Sequence, residues 1–345
     1  MVSAVETAPA PSPEGVQAPS IVEVSSTLYP VVTMSDKLRV AVIGVGYLGR
    51  FHALIYSRMP DVELVCVVDA DPDRAAAVAA EAGCPVCRRI DDVVGRVDAV
   101  SIVVPTTAHL HAAEPFLSRG IPVLLEKPIA GDLVEGAEIV RLAQAHGAAL
   151  QIGHVERFNA GVMALAQRIH APVYIEAQRM GGFVERATDV DVVSDLMIHD
   201  IDIILSLVGT RIAAIAAVGA SVLTEHVDIA SARLEFENGA VANVVASRVS
   251  DKTTRRIRVF QPGRYLSLDF LDQTIDIAEP RTALGATRPE IARERIPVEP
   301  IKPLDRELAE FVSCIRQRRP PLVDGHTGLK ALEVALEVRA KIAGE

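Results

Sequence analysis

Apolar runs and helical patterns alternate from residue 38 to residue 152. Leu38–Ile43 is a short apolar, β-branched-rich run, helical spacing follows from Leu48 to Arg58, and a second apolar run occupies Val62–Val68. Asp98–Val104 predicts a strand, Ala108–Arg119 a helix, Pro122–Leu125 a strand, Leu133–Ala145 a helix and Ala148–Ile152 a last strand. Strands alternating with helices of this length build an α/β domain with a doubly wound parallel sheet. Ligands in such sheets sit beyond the carboxyl ends of the strands. The residues at those ends are Pro105-Thr106, Glu126-Lys127-Pro128 and Gly153-His154.

The pattern changes after residue 155. Val173–Arg179, Ala213–Val222, Ala230–Glu237, Val241–Arg248, Arg256–Phe260 and Tyr265–Phe270 read as strands in succession. Turns such as Glu237-Asn238-Gly239 between them predict mostly antiparallel pairing. An apolar helix ending near Val208 opens on Asp195–Asp202, and two helices close the chain, Asp305–Arg318 and Thr327–Ile342. A chain of 345 residues is too long for one ordinary core. The expected division is a tail over residues 1–35, a first domain over 36–154 and a second over 155–345.

Composition narrows the classes. Half the residues are hydrophobic, but no apolar stretch approaches the roughly 18 residues of a membrane span. The formal charge is −10, with Lys and Arg scattered among Asp and Glu, which argues against a nucleic-acid binder that needs a basic face. Met1–Val32 has no Lys or Arg, contains Glu6, Glu14 and Glu23, and shows no compact apolar core. It therefore reads as a disordered tail and not as a secretory signal. Met34, just ahead of the first strand, is an alternative natural start. Cys84-Pro85-Val86-Cys87 has CxxC spacing, but no second pair or nearby histidine pair completes a zinc site. It reads as a loop between two elements. The cytoplasm is the expected compartment.

The first turn carries the sharpest motif. Gly44-Val45-Gly46-Tyr47-Leu48-Gly49 joins the first strand to the first helix, and Asp69 ends the second strand 20 positions beyond Gly49. Strand, GxGxxG turn, helix, strand and acidic residue together form the dinucleotide-binding Rossmann fingerprint. Gly44 permits the tight turn, Gly46 lets the backbone approach a pyrophosphate, and Gly49 allows close helix–strand packing. Tyr47 and Leu48 open the helix whose free N–H groups face the phosphates. Asp69 accepts from the ribose hydroxyls and repels a 2′-phosphate, and Ala70 beside it supplies no cation. The expected cofactor is NAD, with Arg74 the one feature pointing towards NADP.

Lys127 stands at a central strand end, where a nicotinamide would lie and where a lysine can hydrogen-bond a substrate hydroxyl or take its proton. Asp195 and His199 are i and i+4 on one helix face, with Asp202 further along. A carboxylate one turn from a histidine can fix its tautomer and raise its basicity. A metal site is the competing idea, and no further His or carboxylate motif supplies the partners it needs.

With GVGYLGRFH after the first strand, EKP at the fifth, GHVERFN after the sixth and the Asp-x-x-x-His helix, the chain resembles the Gfo/Idh/MocA oxidoreductases over essentially everything after Ser35. The resemblance implies a C-terminal α/β domain with a large open sheet whose outer face makes oligomer contacts, in a homodimer or homotetramer. It also implies that Lys127, Asp195 and His199 are the catalytic trio and that the Lys127–Pro128 bond is cis. Pro105, Thr106, His109, Glu126 and Lys127 join the glycine loop and Asp69 as implied cofactor contacts. Most members act on polyols, sugars or nucleotide sugars. The wording GHVERFNA, DVDVVSDLMIHDIDIILSLV and DIASARLEFENGAVANVVASRVS is similar to the branch acting on UDP-N-acetylglucosamine. There the sugar 3-hydroxyl becomes a ketone, which an aminotransferase then aminates on the way to lipid A. A diphosphate would explain Arg157, Arg179 and Arg186, with Asn159 beside them, since arginine forks match phosphate oxygens; domain or subunit contacts would explain them equally well. An inositol or other polyol dehydrogenase, an NAD-dependent glycosidase and a non-catalytic regulator remain alternatives.

Overall fold

The computed structural model describes residues 37–183, 190–281, 288, 290–299 and 301–345. The expected tail and Arg186 lie outside these residues. Strands β1 (Leu38–Ile43), β2 (Val62–Val68), β3 (Ala99–Ile102), β4 (Val123–Glu126) and β5 (Leu150–Gly153) form a parallel sheet in the order β2-β1-β3-β4-β5. Five of the six residues of β1 are buried, as a central strand covered by helices on both faces requires. The covering helices are α1 (Tyr47–Tyr56), α2 (Pro72–Ala82), α3 (His109–Leu117) and α4 (Leu133–Ala145).

Helix α2 is absent from the sequence reading, although its ends are marked. Asp71 caps it by accepting from the Asp73 and Arg74 N–H groups, Pro72 occupies its first turn, and Gly83 closes it at φ +72°. Its surface is alanine-rich, so apolar periodicity is weak. The loop after it bears Cys84 and Cys87, both free thiols, and Val86 makes a single parallel bridge to Val67. Placing EKP at a fifth strand and GHVERFN after a sixth is therefore corrected. The parallel sheet has five strands, EKP closes the fourth, and the missing position is that one bridge.

The second sheet has eight strands in the order β13-β12-β11-β10-β6-β9-β8-β7. These are β6 (Tyr174–Met180), β7 (Ile212–Ala220), β8 (Ile229–Phe236), β9 (Val241–Ser247), β10 (Thr254–Gln261), β11 (Arg264–Asp269), β12 (Thr274–Arg281) and β13 (Glu290–Pro297). Every pair is antiparallel except β6 with β9. Strands β12 and β13 escape the sequence reading: β12 does alternate over Thr274–Ile277, whereas β13, Glu-Ile-Ala-Arg-Glu-Arg-Ile-Pro, is mostly exposed and lacks alternation. Its pairing with β12, Thr274 opposite Pro297 through Arg281 opposite Glu290, holds it in place.

One face of this sheet is apolar and carries α5 (Ala160–Ala166) and α6 (Ile198–Val208). Ile175, Ala177, Val244, Ile257, Val259, Leu266 and Leu268 on the strands meet Ile198, Ile201 and Ile204 of α6, all buried. The opposite face bears cross-strand ion pairs such as Arg258–Glu176 and Arg295–Asp276. The chain then returns to the first sheet. Leu308, Phe311 and Cys314 of α7 (Pro303–Gln317) share a core with Val40, Ala53 and Tyr56, and α8 (Gly325–Ala343) packs on β7, α6 and α4. Residues at the carboxyl ends of β1, β4 and β5 and residues of β6 and β10 border one cavity.

Candidate active site

The glycine loop fits a dinucleotide. Gly44 sits at φ +84°, and a Cβ there would lie 2.6 Å from the Val103 carbonyl oxygen. At Gly49 a Cβ would lie 1.9 Å from the Gly44 carbonyl oxygen. A Cβ on Gly46 would meet nothing within 4 Å. The first and third glycines are therefore demanded by packing, while the second faces open space that a side chain would fill. The Asp69 carboxylate accepts from the Val45 N–H at 2.7 Å, from the Asp71 N–H at 2.9 Å and from Arg74 at 2.8 Å. Burial opposes its charge, but these bonds, that from Arg74 foremost, outweigh burial and hold the carboxyl below its ordinary range. Arg74 thus faces Asp69 and Asp71.

Beside this loop a cavity of about 510 Å³ opens between the two sheets, lined among others by Tyr47, Lys127, Asp195, His199, Arg179 and Arg255. The Lys127–Pro128 bond is cis. Lys127 Nζ donates to the Asp195 carbonyl oxygen at 2.9 Å and lies 3.5 Å from the Asp195 carboxylate. His199 Nδ1 is enclosed with no hydrogen-bond partner. Burial, with the positive charges of Lys127, Arg179 and Arg255 and the neighbouring His154 ring, keeps His199 well below the usual imidazole range and therefore neutral at pH 7.

The expected Asp195–His199 contact is corrected. Residues Val193–Met197 form a π-helical turn ahead of α6, so the i,i+4 geometry of a regular helix does not hold there. The Asp195 carboxylate turns to Lys127. His199 instead neighbours His154, whose ring is 6.5 Å away and nearly perpendicular.

The predicted arginines are committed elsewhere. Arg179 is 4% exposed, donates a two-pronged pair to Asp200 at 2.9 and 3.0 Å, and reaches Glu156 at 2.8 Å. Burial opposes its charge, but Asp200 and Glu156 outweigh burial and keep it ionised. Arg157 pairs with the buried Asp202 at 3.3 Å. Both arginines therefore fasten α6 to its neighbours, which is also how that apolar helix carries buried carboxylates. Asn159 caps α5 by accepting from Gly161 N–H and donates to Glu156. For Arg157 and Arg179, these ion pairs supply the domain-contact reading, and Asn159 serves as the cap of α5.

The other predicted contacts divide in the same way. His109 is 1% exposed, with its ring nitrogens 3.2 and 3.1 Å from the Ile129 and Val104 carbonyl oxygens. It ties the β3 loop to the EKP turn from behind and does not border the cavity. Glu126 lines the cavity and lies 3.3 Å from His52. Leu48 also lines the cavity, while Pro105 and Thr106 open the short 3₁₀ turn that follows β3.

A family model described as "Oxidoreductase family, NAD-binding Rossmann fold" matches residues 38–154, and another, "GFO/IDH/MocA C-terminal domain", matches residues 148–261. A UDP-N-acetylglucosamine 3-dehydrogenase from Acidithiobacillus ferrooxidans is 39% identical over 306 residues, covering 88% of this chain and 97% of that protein. The chain belongs to the Gfo/Idh/MocA oxidoreductase family. A solved structure of the Acidithiobacillus enzyme superposes with a TM-score of 0.85 at 38% identity, covering 89% of this chain and 98% of that one. A scyllo-inositol 2-dehydrogenase (NAD(+)) of Bacillus subtilis is more distant, at 30% identity over 240 residues, 63% of this chain and 69% of that protein.

As a Gfo/Idh/MocA member, the chain pairs an NAD-binding Rossmann domain with a dehydrogenase scaffold, and NAD fits the glycine cradle described above. Among the described residues no helix is long and apolar enough to cross a membrane, and no His, Cys, Asp and Glu cluster suits a metal ion. Of two residues beside the cavity, His154 stands at a strand end singled out in the sequence, and only Arg255 escapes the sequence reading. His154 is 1% exposed, with neither ring nitrogen hydrogen-bonded. Arg255 is exposed at the start of β10; it follows the same alternation as the buried Ile257 and Val259, and a cation in an apolar row was its available signal.

Proposed function

We propose that this protein oxidises the 3-hydroxyl of a UDP-linked N-acetylhexosamine to a ketone, with NAD as acceptor. The observation that carries the reading is the convergence of Lys127 from the NAD-binding domain and neutral His199 from the second domain on one cavity bordered by the glycine loop. NAD, when bound, accepts a hydride at its nicotinamide ring. His199 acts as the base. Nδ1 is enclosed, so Nε2 is the nitrogen that a sugar hydroxyl reaches, and an imidazole kept neutral can take the proton. Lys127 donates a hydrogen bond to the same oxygen as negative charge develops there. Asp195 acts through Lys127, holding its ammonium in place. Asp69 recognises the adenosine ribose, in keeping with NAD. The nucleotide-sugar substrate follows the Acidithiobacillus relative, as do a place ahead of amination in lipid A synthesis and a cytoplasmic setting. The ion-paired outer face of the second sheet is the surface proposed for a homo-oligomer.

The test is net NADH formation by the purified protein with UDP-N-acetylglucosamine, N-acetylglucosamine and myo-inositol. The reading predicts a kcat/KM highest for the nucleotide sugar by at least tenfold. Highest activity on myo-inositol would replace it with the polyol reading. Hydrolysis without net NADH would replace it with a glycosidase.

A further inference from the structure

Two arginines stand directly opposite each other on the cavity side of the second sheet. In the antiparallel pairing of β6 with β10, Arg179 and Arg255 are register partners. Like charges so placed repel unless anions compensate them. Arg179 is compensated by Asp200 and Glu156. Arg255 has no ion pair or side-chain hydrogen bond with any described residue, and it projects where the apolar row of β10 gives way to the cavity.

A second hollow of about 400 Å³ adjoins that cavity and shares Val155, Glu156 and Arg255 with it. Lys302 lies on its rim at the head of the 15-residue helix α7, also with no ion pair to a described residue. Phe270, Ile301 and Pro303 give the hollow an apolar wall. The other cations nearby are already matched: Lys127 faces Asp195, and Arg248 faces Asp228. Glu156, the carboxylate of the hollow, is held by Arg179. What remains without an ion pair of its own among the described residues is two positive side chains beside an apolar recess, since Asp200, whose charge Arg255 also favours, is already held by Arg179.

We propose that Arg255 and Lys302 form the subsite for the diphosphate of a nucleoside-diphosphate sugar, with the nucleoside lying against the Phe270–Pro303 wall. The inference rests on the nucleotide-sugar reading of the active site. It moves the phosphate contacts from Arg157 and Arg179 to two residues that the sequence motifs do not mark. Guanidinium and ammonium groups paired with phosphate form charge-assisted hydrogen bonds, and the positive end of α7 adds to their field.

The experiment compares wild type, Arg255→Ala and Lys302→Ala in two assays. In the first, kcat/KM is measured for UDP-N-acetylglucosamine and for N-acetylglucosamine at saturating NAD. The preference for the nucleotide sugar should fall roughly 10–100-fold in Arg255→Ala and about 3–10-fold in Lys302→Ala, mainly through KM. An equal loss on both sugars would overturn the subsite. In the second, calorimetry measures binding of UDP and uridine, with NAD binding as the check that each variant is folded. Wild type should bind UDP at least tenfold more tightly than uridine, and Arg255→Ala should erase most of that difference. Unchanged UDP affinity in both variants, or no UDP binding by wild type, would refute the subsite. If wild type binds UDP through Arg255 but oxidises no nucleotide sugar, the functional reading fails while the subsite stands. A variant that loses NAD binding is replaced by Arg255→Lys, for which the same loss of preference, smaller in size, is required.

Discussion

The two sides of the cavity are built by different means. On the NAD side, backbone shape dominates: Gly44 and Gly49 leave no room for a Cβ, Gly46 faces open space, and Asp69 is held by the Val45 and Asp71 amides. On the substrate side, side chains from distant segments decide. Arg179 of β6 meets Asp200 of α6 and Glu156 of the β5–α5 connection, while Arg255 of β10, directly opposite, meets none. A backbone cradle needs a few residues in a fixed local order. A polar network needs the whole sheet assembled, and the same residue type is a fastener at one position and a free cation at the next.

The sharpest way to break this comparison is at the point where the two sides meet. His199→Ala and Lys127→Ala should each lower kcat roughly 10²–10⁴-fold with NAD affinity nearly intact, since neither holds the pyrophosphate. Steady-state turnover beside NAD titration measures both. Near-normal turnover in both variants would put the chemistry elsewhere.

Stability separates the facing arginines next. Arg179→Ala strands two carboxylates, one of them fully buried, and should cost about 3–5 kcal/mol in urea unfolding. Arg255→Ala should stay within about 0.5 kcal/mol of wild type. Equal losses would mean that Arg255 also has a structural partner.

On the cofactor side, Asp69→Ala should reduce the preference for NAD over NADP by roughly 10–100-fold, because a charged hydrogen bond to the ribose is removed together with the repulsion of a 2′-phosphate. Gly46→Ala should raise the KM for NAD while the protein still folds. Gly49→Ala should instead lower expression or stability, because its Cβ meets the Gly44 carbonyl. Matching behaviour of the two glycine variants would contradict the division between cradle and packing.

A smaller effect concerns pH. The base works only when unprotonated, and burial with the surrounding cations lowers the His199 pKa from the ordinary imidazole range. Activity should therefore persist as pH falls through about 6.5, the ordinary histidine value, with the acidic limb of kcat below it. A limb centred at or above 6.5 would show that the burial and nearby cations do not act on His199 as described.

What was legible in the sequence follows the same line. The five parallel strands, the glycine turn, Asp69, the EKP turn and most of the second sheet could be read because each is a local pattern of period or spacing. Helix α2 was missed because alanine blurs apolar periodicity, and β13 because an exposed edge strand need not alternate. The Asp195–His199 contact was misread because a π-helical turn breaks the i,i+4 rule over those residues. Arg157 and Arg179 were recognised as important, but their partners come from α6 and could not be chosen among the acidic residues by spacing alone. Arg255 went unread for a related reason: it becomes visible only when β10 is aligned so that its row continues Ile257 and Val259.

The most direct test of the central claim uses UDP-N-acetylglucosamine carrying deuterium at sugar carbon 3, incubated with the protein and NAD and followed by mass spectrometry of both products. The account predicts one deuterium in each reduced cofactor and a ketone at carbon 3 of the sugar, with His199→Ala slowing both together. Reduced cofactor without deuterium, or deuterium retained in an oxidised sugar, would contradict it.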